Sequence, residues 1–332
     1  HTILSKVEKG GVISSRKGIN IPYLPDSFPS LTARDLQILE AIKDWDLDFL
    51  ALSFVRGVKD IVALRNKIAS FPKSFSVIAK IEKPQALNEI EEIIEASDGI
   101  MIARGDLGVE IPVESVPFWQ KKIIFESRCK CKPVIVATQL LDSMIRNPIP
   151  TRAEVSDVAG AIYDGTDAIM LSGETAMGDF PMESVQTANK IAQFTENHAD
   201  FVPDVQKIIT NNTDLSSAIS FGAWEIARNL KLPVIVTSTY SGSTARRISR
   251  FRPNIPILAF SPKYQILRQL KLSFGVIPFS MNLCTEPIEL IEEMKKLTLD
   301  SGFGKKGDKI VITAGVPLQK SGFTNLLQVE EL

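Results

Sequence analysis

The chain has 332 residues, of which 44% are hydrophobic and 23% are charged, and its formal net charge is −1 at pH 7. This composition excludes an intrinsically disordered chain, because the apolar residues suffice for a folded core. It also argues against a protein that binds nucleic acid by neutralising phosphates in bulk, and no apolar run reaches the ~18 residues of a membrane span. The opening HTILSKVEKGG lacks the apolar core of a secretory signal, so we expect a cytoplasmic protein.

The residues before position 30 are rich in glycine, serine and proline, as in KGGVISSRKGIN and IPYLPDSFPS. They predict the last strand of a separate unit and then an extended connection, which leads into the helical pattern ARDLQILEAIKDW. The chain begins with histidine rather than methionine, and this opening is not typical of the start of a domain.

From residue 47 onward, short apolar segments alternate with helical patterns. The segments are DLDFLALSFV, FSVIAKIE, DGIMIARGD, KPVIVATQ and DAIMLSGE. Each is apolar on both faces, as buried parallel strands are, and the intervening sequences have apolar residues at spacings of three and four. The alternation predicts α/β structure, and its spacing fits five βα units of a TIM-type (β/α)8 barrel. A doubly wound sheet has the same alternation, but no G-x-G-x-x-G motif follows the first strand.

A polar stretch over residues 197–214 is interpreted as a linker, after which a second, smaller α/β unit begins. Its first helix starts at LSSAISF, where Asp214 is a good N-cap, and GDKIVITAG is its last predicted strand. The 3 cysteines form no disulfide framework, and the pair Cys129 and Cys131 lacks the partners of a zinc site. Only 2 histidines are present, so proton transfer is expected from lysine, carboxylates, hydroxyls or water.

Polar side chains follow the apolar cores of the predicted strands, where a barrel carries its active site. Lys80 and Glu82 are two residues apart and share one face of their strand, and Asp106 ends the next strand. Two carboxylates with a lysine between them suit a divalent cation that keeps several waters and takes substrate oxygens. The lysine would neutralise charge that develops on a phosphoryl group or an enolate, although a Lys–Glu pair on an exposed strand edge is an alternative interpretation.

Small and hydroxyl residues accompany these charges. Gly105 allows backbone amides to approach an anion, and Thr138 follows the next strand, where its hydroxyl could hold a water or simply satisfy the strand end. In the second unit, the loop TSTYSGSTARR joins a strand to a helix and could hold a phosphate. Ordinary helix capping by Ser241 or Ser243 explains the loop equally well. The candidate loop residues are Thr237, Ser241, Gly242, Ser243 and Thr244.

The motifs SRKGINIP, IAKIEKPQAL, DGIMIARGDLGVEIP, PTRAEVSDVAGAIYDG and IMLSGETAMGDFP resemble the pyruvate kinase family in their order and spacing. The resemblance continues to GDKIVITAGVPLQKSGFTN and so covers essentially the whole chain. It implies phosphoryl transfer from phosphoenolpyruvate to ADP, the last step of glycolysis, with Mg²⁺ or Mn²⁺ as the metal. K⁺ is a possible second cofactor, with most of its ligands in a part of the family that this chain lacks.

By position, the resemblance assigns Lys80 to stabilising the transition state and Glu82 and Asp106 to holding the metal. It assigns Gly105, Asp106 and Thr138 to substrate contacts, Thr138 also to protonating the enolate, and Lys17 to the nucleotide. It also implies a lid tail over residues 1–18, a partial barrel over 19–198 and a regulatory domain over 199–332. That domain would bind a sugar-phosphate or nucleotide effector at the loop 237–244, and the family is typically a homotetramer.

The family's barrel has eight strands, whereas this sequence predicts the last five. We expect roughly 150 to 200 further residues before His1 in a complete member, and negligible activity for this polypeptide alone. The alternatives are a non-catalytic fragment, an effector-binding module formed by residues 199–332, and a barrel lyase that acts on the pyruvate enolate with the same Glu–Asp pair. Formation of ATP from ADP distinguishes the kinase from the lyase.

Overall fold

The computed structural model describes residues 28–318 and 322–332, together with residues 4, 6–8, 10–12 and 15. Lys17 and most of the predicted lid tail lie outside the described residues. Among the described helices, none is both long enough and apolar enough to pass through a bilayer.

Five parallel strands form the first sheet, in the same order as along the chain. They are β1 (Phe49–Leu52), β2 (Ser76–Ile81), β3 (Gly99–Ala103), β4 (Val134–Ala137) and β5 (Ala168–Met170). Every residue of β3 and β4 is buried, as expected for strands covered on both faces. The predicted alternation of strands and helices is therefore confirmed in this part of the chain.

Helices follow each strand and bury their apolar faces against the sheet. They are α1 (Ala33–Ile42), α2 (Val58–Ile68), α3 (Pro84–Asn88), α4 (Ile90–Ala96), α5 (Arg104–Glu110), α6 (Val116–Cys129), α7 (Arg152–Tyr163), α8 (Gly173–Ala176) and α9 (Pro181–Glu196), with 3₁₀ turns at Val113–Ser115 and Asp142–Ile145. Ile61, Ile93 and Ile123 are fully buried in the core that these helices share with the strands. Capping boxes begin α1 at Thr32 and α7 at Thr151.

The second unit is a five-stranded sheet in the order β10-β9-β6-β7-β8. Its elements are α10 (Val202–Thr210), α11 (Leu215–Asn229), β6 (Ile235–Ser238), α12 (Ser243–Ser249), β7 (Ile257–Ser261), α13 (Tyr264–Leu270), β8 (Val276–Ser280), α14 (Pro287–Asp300), β9 (Lys309–Ala314) and β10 (Leu326–Glu331). Two separate apolar clusters cover its two faces. The predicted N-cap is confirmed, since the Asp214 carboxylate accepts a hydrogen bond from Ser217 N at 3.1 Å.

Two features of the second unit differ from the sequence interpretation. The predicted linker contains α10, in which Val205 and Ile208 are buried against Trp224 and Phe251. The exposed polar residues Gln206 and Lys207 lie between the buried ones in the sequence, and they concealed the apolar face of the helix. The last strand was also missed, since β10 pairs antiparallel with β9 and its sequence LLQVEE is largely charged or polar near its end.

The two units pack against each other through buried ion pairs. Arg252 Nη2 lies 2.9 Å from Asp167 Oδ2, and both side chains are at most 5% exposed. Asp167 lies just before β5, and its other oxygen accepts a hydrogen bond from Phe274 N at 3.0 Å. The second unit is thereby fastened to the amino-terminal edge of the first sheet, opposite the strand ends that carry the candidate site.

Candidate functional site

The register of the first sheet brings the candidate residues to one edge. Lys80 pairs with Met101, and Ala103 pairs with Ala137, so the residues that follow β2, β3 and β4 lie side by side. Glu82 follows β2, Asp106 lies in the first turn of α5 after β3, and Thr138 follows β4. Parallel strands end at a common edge, and this is the edge where parallel α/β enzymes carry their active sites.

Lys80 and Glu82 form the centre of this edge. The Lys80 ammonium lies 2.6 Å from Glu82 Oε1 and donates a hydrogen bond to Ser53 Oγ at 3.0 Å. Glu82 is 1% exposed, and its second oxygen accepts a hydrogen bond from Phe54 N at 2.6 Å. The lysine is therefore held between β1 and β2, while its own side chain remains 23% exposed and can meet a ligand.

Gly105 and Thr138 contact each other directly. Gly105 N donates a hydrogen bond to Thr138 Oγ1 at 2.7 Å, and Thr138 donates to Ala137 O at 2.6 Å. A Cβ on Gly105 would lie 3.2 Å from Thr138 Oγ1, so a side chain there would press on the hydroxyl. The sequence predicted both residues for this edge but not their hydrogen bond.

Arg104 is part of this site and was not predicted. Its guanidinium forms a two-pronged ion pair with Asp157, at 2.6 and 2.7 Å. The same group donates hydrogen bonds to Thr138 O at 2.8 Å and to Gln139 O at 3.2 Å. Thr138 and Gln139 have positive φ angles of 70° and 55°, a backbone conformation that residues other than glycine rarely adopt. Arg104 thus holds an unfavourable turn in the position that presents the Thr138 hydroxyl.

A buried ion pair between Lys83 and Glu110 links two of the elements that carry the site residues. Lys83 Nζ lies 2.6 Å from Glu110 Oε1, and the two side chains are 3% and 1% exposed. Lys83 directly follows Glu82, and Glu110 ends α5, so the pair joins the element after β2 to the helix that carries Asp106. Glu110 was not predicted, because no local pattern in the sequence shows that its side chain turns inward.

The donor atoms fit a hard divalent cation. Glu82 Oε1 is buried and faces the Lys80 ammonium at 2.6 Å, but it accepts no hydrogen bond of good geometry among the described residues, so this oxygen can also coordinate a cation that binds beside Lys80. Among those residues, no group of three or more His, Cys, Asp or Glu side chains is arranged for a metal. Two carboxylates are nevertheless what Mg²⁺ needs, because it keeps waters and takes substrate oxygens for its other positions.

The candidate loop of the second unit encloses a separate pocket. Gly242 has φ 82°, and its amide donates to Thr239 Oγ1 at 2.9 Å. Ser241 Oγ and Ser243 Oγ are 3.1 Å apart, and Thr244 Oγ1 lies 2.8 Å from Thr324 Oγ1. Ser241, Ser243 and Thr244 line this pocket. Thr237 does not, because it is fully buried within β6.

The N-cap of α12 is Gly242, so the interpretation of Ser241 or Ser243 as the capping side chain is wrong. A glycine is favoured because the cap has a left-handed conformation.

A parallel α/β sheet whose strand ends present a lysine, two carboxylates and a threonine defines an enzyme of the α/β barrel class. The family model for the pyruvate kinase barrel domain matches residues 1–185, and the model for the pyruvate kinase alpha/beta domain matches residues 217–330. The chain belongs to the pyruvate kinase family.

Curated relatives agree with these family models. The chain is 44% identical to pyruvate kinase of Thermotoga maritima over 323 residues, which cover 97% of this chain and 68% of that protein. It is 42% identical to pyruvate kinase of Clostridium acetobutylicum over 330 residues, which cover 99% of this chain and 70% of that protein. The similarity therefore includes both α/β units.

Proposed function

We propose that this protein transfers a phosphoryl group between phosphoenolpyruvate and ADP, giving pyruvate and ATP. The observation that carries the proposal is the Lys80 ammonium, held 2.6 Å from Glu82 Oε1 at the strand ends. In this reaction the bond between phosphorus and the enolate oxygen breaks, and a bond from phosphorus to a terminal oxygen of ADP forms. The enolate then takes a proton at carbon to give pyruvate.

Lys80 stabilises the charge on the transferred group. Its ammonium is fixed by Ser53 and Glu82 before any ligand binds, so little reorganisation is needed when negative charge develops. Glu82 and Asp106 would hold Mg²⁺ or Mn²⁺, which would supply further positive charge near the phosphoryl oxygens. K⁺ dependence remains a prediction from the family resemblance.

Thr138 and Gly105 are assigned to contacts with the substrate. The Thr138 hydroxyl accepts from the Gly105 amide and donates to Ala137 O, so the hydroxyl must rotate away from that carbonyl to give its proton to the substrate. We assign it to the protonation of the enolate, directly or through a water. A hydroxyl or a water can transfer a proton in this way, so the assignment requires no histidine at the site.

We propose three domains. Residues 1–18 form the tail of the lid, residues 19–198 form part of an eight-stranded barrel, and residues 199–332 form the regulatory domain. The five strands observed in chain order support the barrel, and the sheet order of the second unit supports its separation. An effector bearing phosphate at the loop 237–244, a homotetrameric assembly and a cytoplasmic location remain proposals of the same kind.

The test is a coupled assay of the protein as its gene encodes it, with phosphoenolpyruvate, ADP, Mg²⁺ and K⁺. Lys80→Met is expected to lower kcat by about 10²- to 10³-fold, because it removes a preorganised charge. Lys59→Met is the matched control, since Lys59 is exposed on α2 and should leave kcat unchanged. Consumption of the pyruvate enolate without formation of ATP would contradict the proposal and favour a lyase.

A further inference from the structure

A second cavity lies between the two units, at the opposite end of the strands from the candidate site. Its volume is about 370 Å³, which is within the range of small-molecule sites. Phe49, Ser76 and Pro133 line one wall, and each lies at or just before the start of a strand in the first sheet. Helix α12 of the second unit forms the opposite wall through Ser243 and the arginines that follow it.

Basic side chains outnumber acidic ones around this interdomain cavity. The basic residues are Lys130, Lys132, Arg246, Arg247 and Arg250, and the acidic residues are Glu95, Asp98 and Asp214. Two of the acidic groups pair with basic residues of the lining, since Glu95 Oε2 lies 3.1 Å from Lys130 Nζ and Asp214 Oδ1 lies 3.3 Å from Arg247 Nη1. Asp98 accepts hydrogen bonds from Val77 N and from Arg65, which lies outside the cavity lining, both at 2.8 Å. Asp214 caps α11. The lining is therefore net positive.

Arg250 provides the second observation, because its guanidinium is buried and only partly satisfied. The residue is 2% exposed, and its Nη1 lies 3.3 Å from both Cys129 O and Cys131 Sγ. Its Nε and Nη2 atoms have no hydrogen-bond partner among the described residues. Two unpaired donors on a buried cation are costly, and an anion in the cavity that Arg250 lines would satisfy them.

Two neighbouring cations are also withdrawn from solvent. Burial lowers the pKa of Lys132 and of Arg246 from their ordinary values. Lys132 Nζ donates to Ser97 O at 2.6 Å, and Arg246 Nη2 donates to Ser241 O at 2.8 Å. Both cations are held in place by backbone carbonyls, which leaves their charge uncompensated by a carboxylate at those contacts.

We propose that the interdomain cavity binds a small organic phosphomonoester. A planar guanidinium can bind two oxygens of a tetrahedral phosphate dianion at once, and an ammonium group can bind a third. The volume exceeds that of inorganic phosphate and leaves room for the sugar of a hexose phosphate or of a nucleoside monophosphate. This site is distinct from the loop 237–244, because Ser243 is the only one of the five candidate loop residues that lines it.

Calorimetry on the protein as its gene encodes it tests the proposal, with a hexose 6-phosphate, a nucleoside 5′-monophosphate and inorganic phosphate as separate probes. Arg250→Gln is expected to raise the Kd of the better ester about 10- to 100-fold. Lys130→Glu, at a half-exposed lining residue, should also weaken binding and does not disturb a buried group. Lys121→Glu is its matched control, since Lys121 is exposed on α6, the helix that Lys130 directly follows, and does not line the cavity.

Two further variants locate the bound ester. Ser241→Ala alters the loop pocket and Lys80→Met alters the candidate active site, and neither should change the Kd of the interdomain cavity. Loss of binding in one of these variants, with normal binding by Arg250→Gln and Lys130→Glu, would overturn the proposal. So would inorganic phosphate binding as tightly as both esters, or the binding of no probe. Thermal unfolding without ligand checks that each variant is folded.

Discussion

At the residue scale, the candidate site depends on a strained turn. Thr138 and Gln139 both have left-handed backbone conformations, and each costs of the order of 1 kcal/mol for a residue with a side chain. Arg104 offsets this cost by binding both carbonyls, and Asp157 fixes the guanidinium from the other side. The position of the Thr138 hydroxyl is thus set by a side chain that precedes Gly105 in the sequence.

Replacing Arg104 by lysine should impair catalysis more than folding. Lysine retains the charge but lacks the fork that reaches Asp157 and two carbonyls at once, so we expect kcat to fall about 10- to 100-fold with KM for phosphoenolpyruvate changed less. Steady-state kinetics and thermal unfolding measure the two effects. Arg146→Lys is the control, because Arg146 forms an exposed ion pair with Asp179. An equal loss in both variants, or an unchanged kcat in Arg104→Lys, would contradict this role.

The sequence predicted some of these residues for a physical reason. Lys80 lies near the end of an apolar strand, Glu82 and Asp106 follow apolar strand cores, and parallel strands end together, so the pattern predicted a common edge for all three. Arg104 was missed because its partner Asp157 is 53 residues away and lies on a helix whose orientation no local pattern reveals. The strain at Thr138 could not be predicted either, since a threonine and a glutamine give no sign of a left-handed turn.

At the element scale, the start of α7 orders the loop after β4. Glu154 completes the capping box with Thr151 and also accepts hydrogen bonds from Ser143 N at 2.7 Å and Ser143 Oγ at 2.6 Å. Burial opposes the ionised form of this carboxylate, but the hydrogen bonds from Ser143 and Thr151 outweigh burial, and the pKa of Glu154 is lowered. One side chain therefore joins a helix terminus to the turn at Asp142–Ile145.

Thr151→Ala should lower the free energy of unfolding by about 1 kcal/mol, the usual cost of losing an N-cap. Urea unfolding measures it, and Ser156→Ala serves as the control on an exposed face of the same helix, where we expect a change within about 0.5 kcal/mol. An unchanged stability for Thr151→Ala would show that the capping box contributes nothing.

The contribution of Glu154 should depend on pH in a defined direction. Because its pKa is lower in the folded chain than the ordinary value of 4.5, its stabilisation is fully present above that value and is lost as the pH falls through the folded pKa. The difference in unfolding free energy between Glu154→Gln and the unaltered protein should therefore be constant from pH 6 to 8 and shrink in more acidic buffer. A difference that grows in acid would contradict the assignment.

At the scale of the whole molecule, Asp167 connects the two α/β units. Its carboxylate accepts from Arg252 Nη2, from Phe274 N and from Val134 N, so it joins β4, β5 and the second unit at one point. The sequence showed two units with a strand–helix rhythm but not this contact, because Asp167 and Arg252 belong to different units. The pattern of strands and helices also did not predict helix α10, whose apolar face packs against Phe251.

Asp167→Ala should destabilise the protein by about 3–5 kcal/mol, because it leaves the buried Arg252 charge without its partner. Guanidinium-induced unfolding measures the change, with Asp46→Ala as the control. Asp46 also pairs with an arginine of the second unit, Arg268, but is 68% exposed, so its loss should have a much smaller effect. Similar losses for both variants would mean that burial does not decide the strength of these contacts.

The guanidinium of Arg246 has an evolutionary consequence. It lies over Gly242, where an added Cβ would come within 2.5 Å of it, and it also lines the interdomain cavity. Gly242 is constrained twice, by that contact and by its φ of 82°, so a mutation at position 246 would still leave glycine favoured at 242. Arg246 also donates to Ser241 O at 2.8 Å, so positions 242 and 246 should both vary little among descendants of this gene, whether or not selection maintains the cavity.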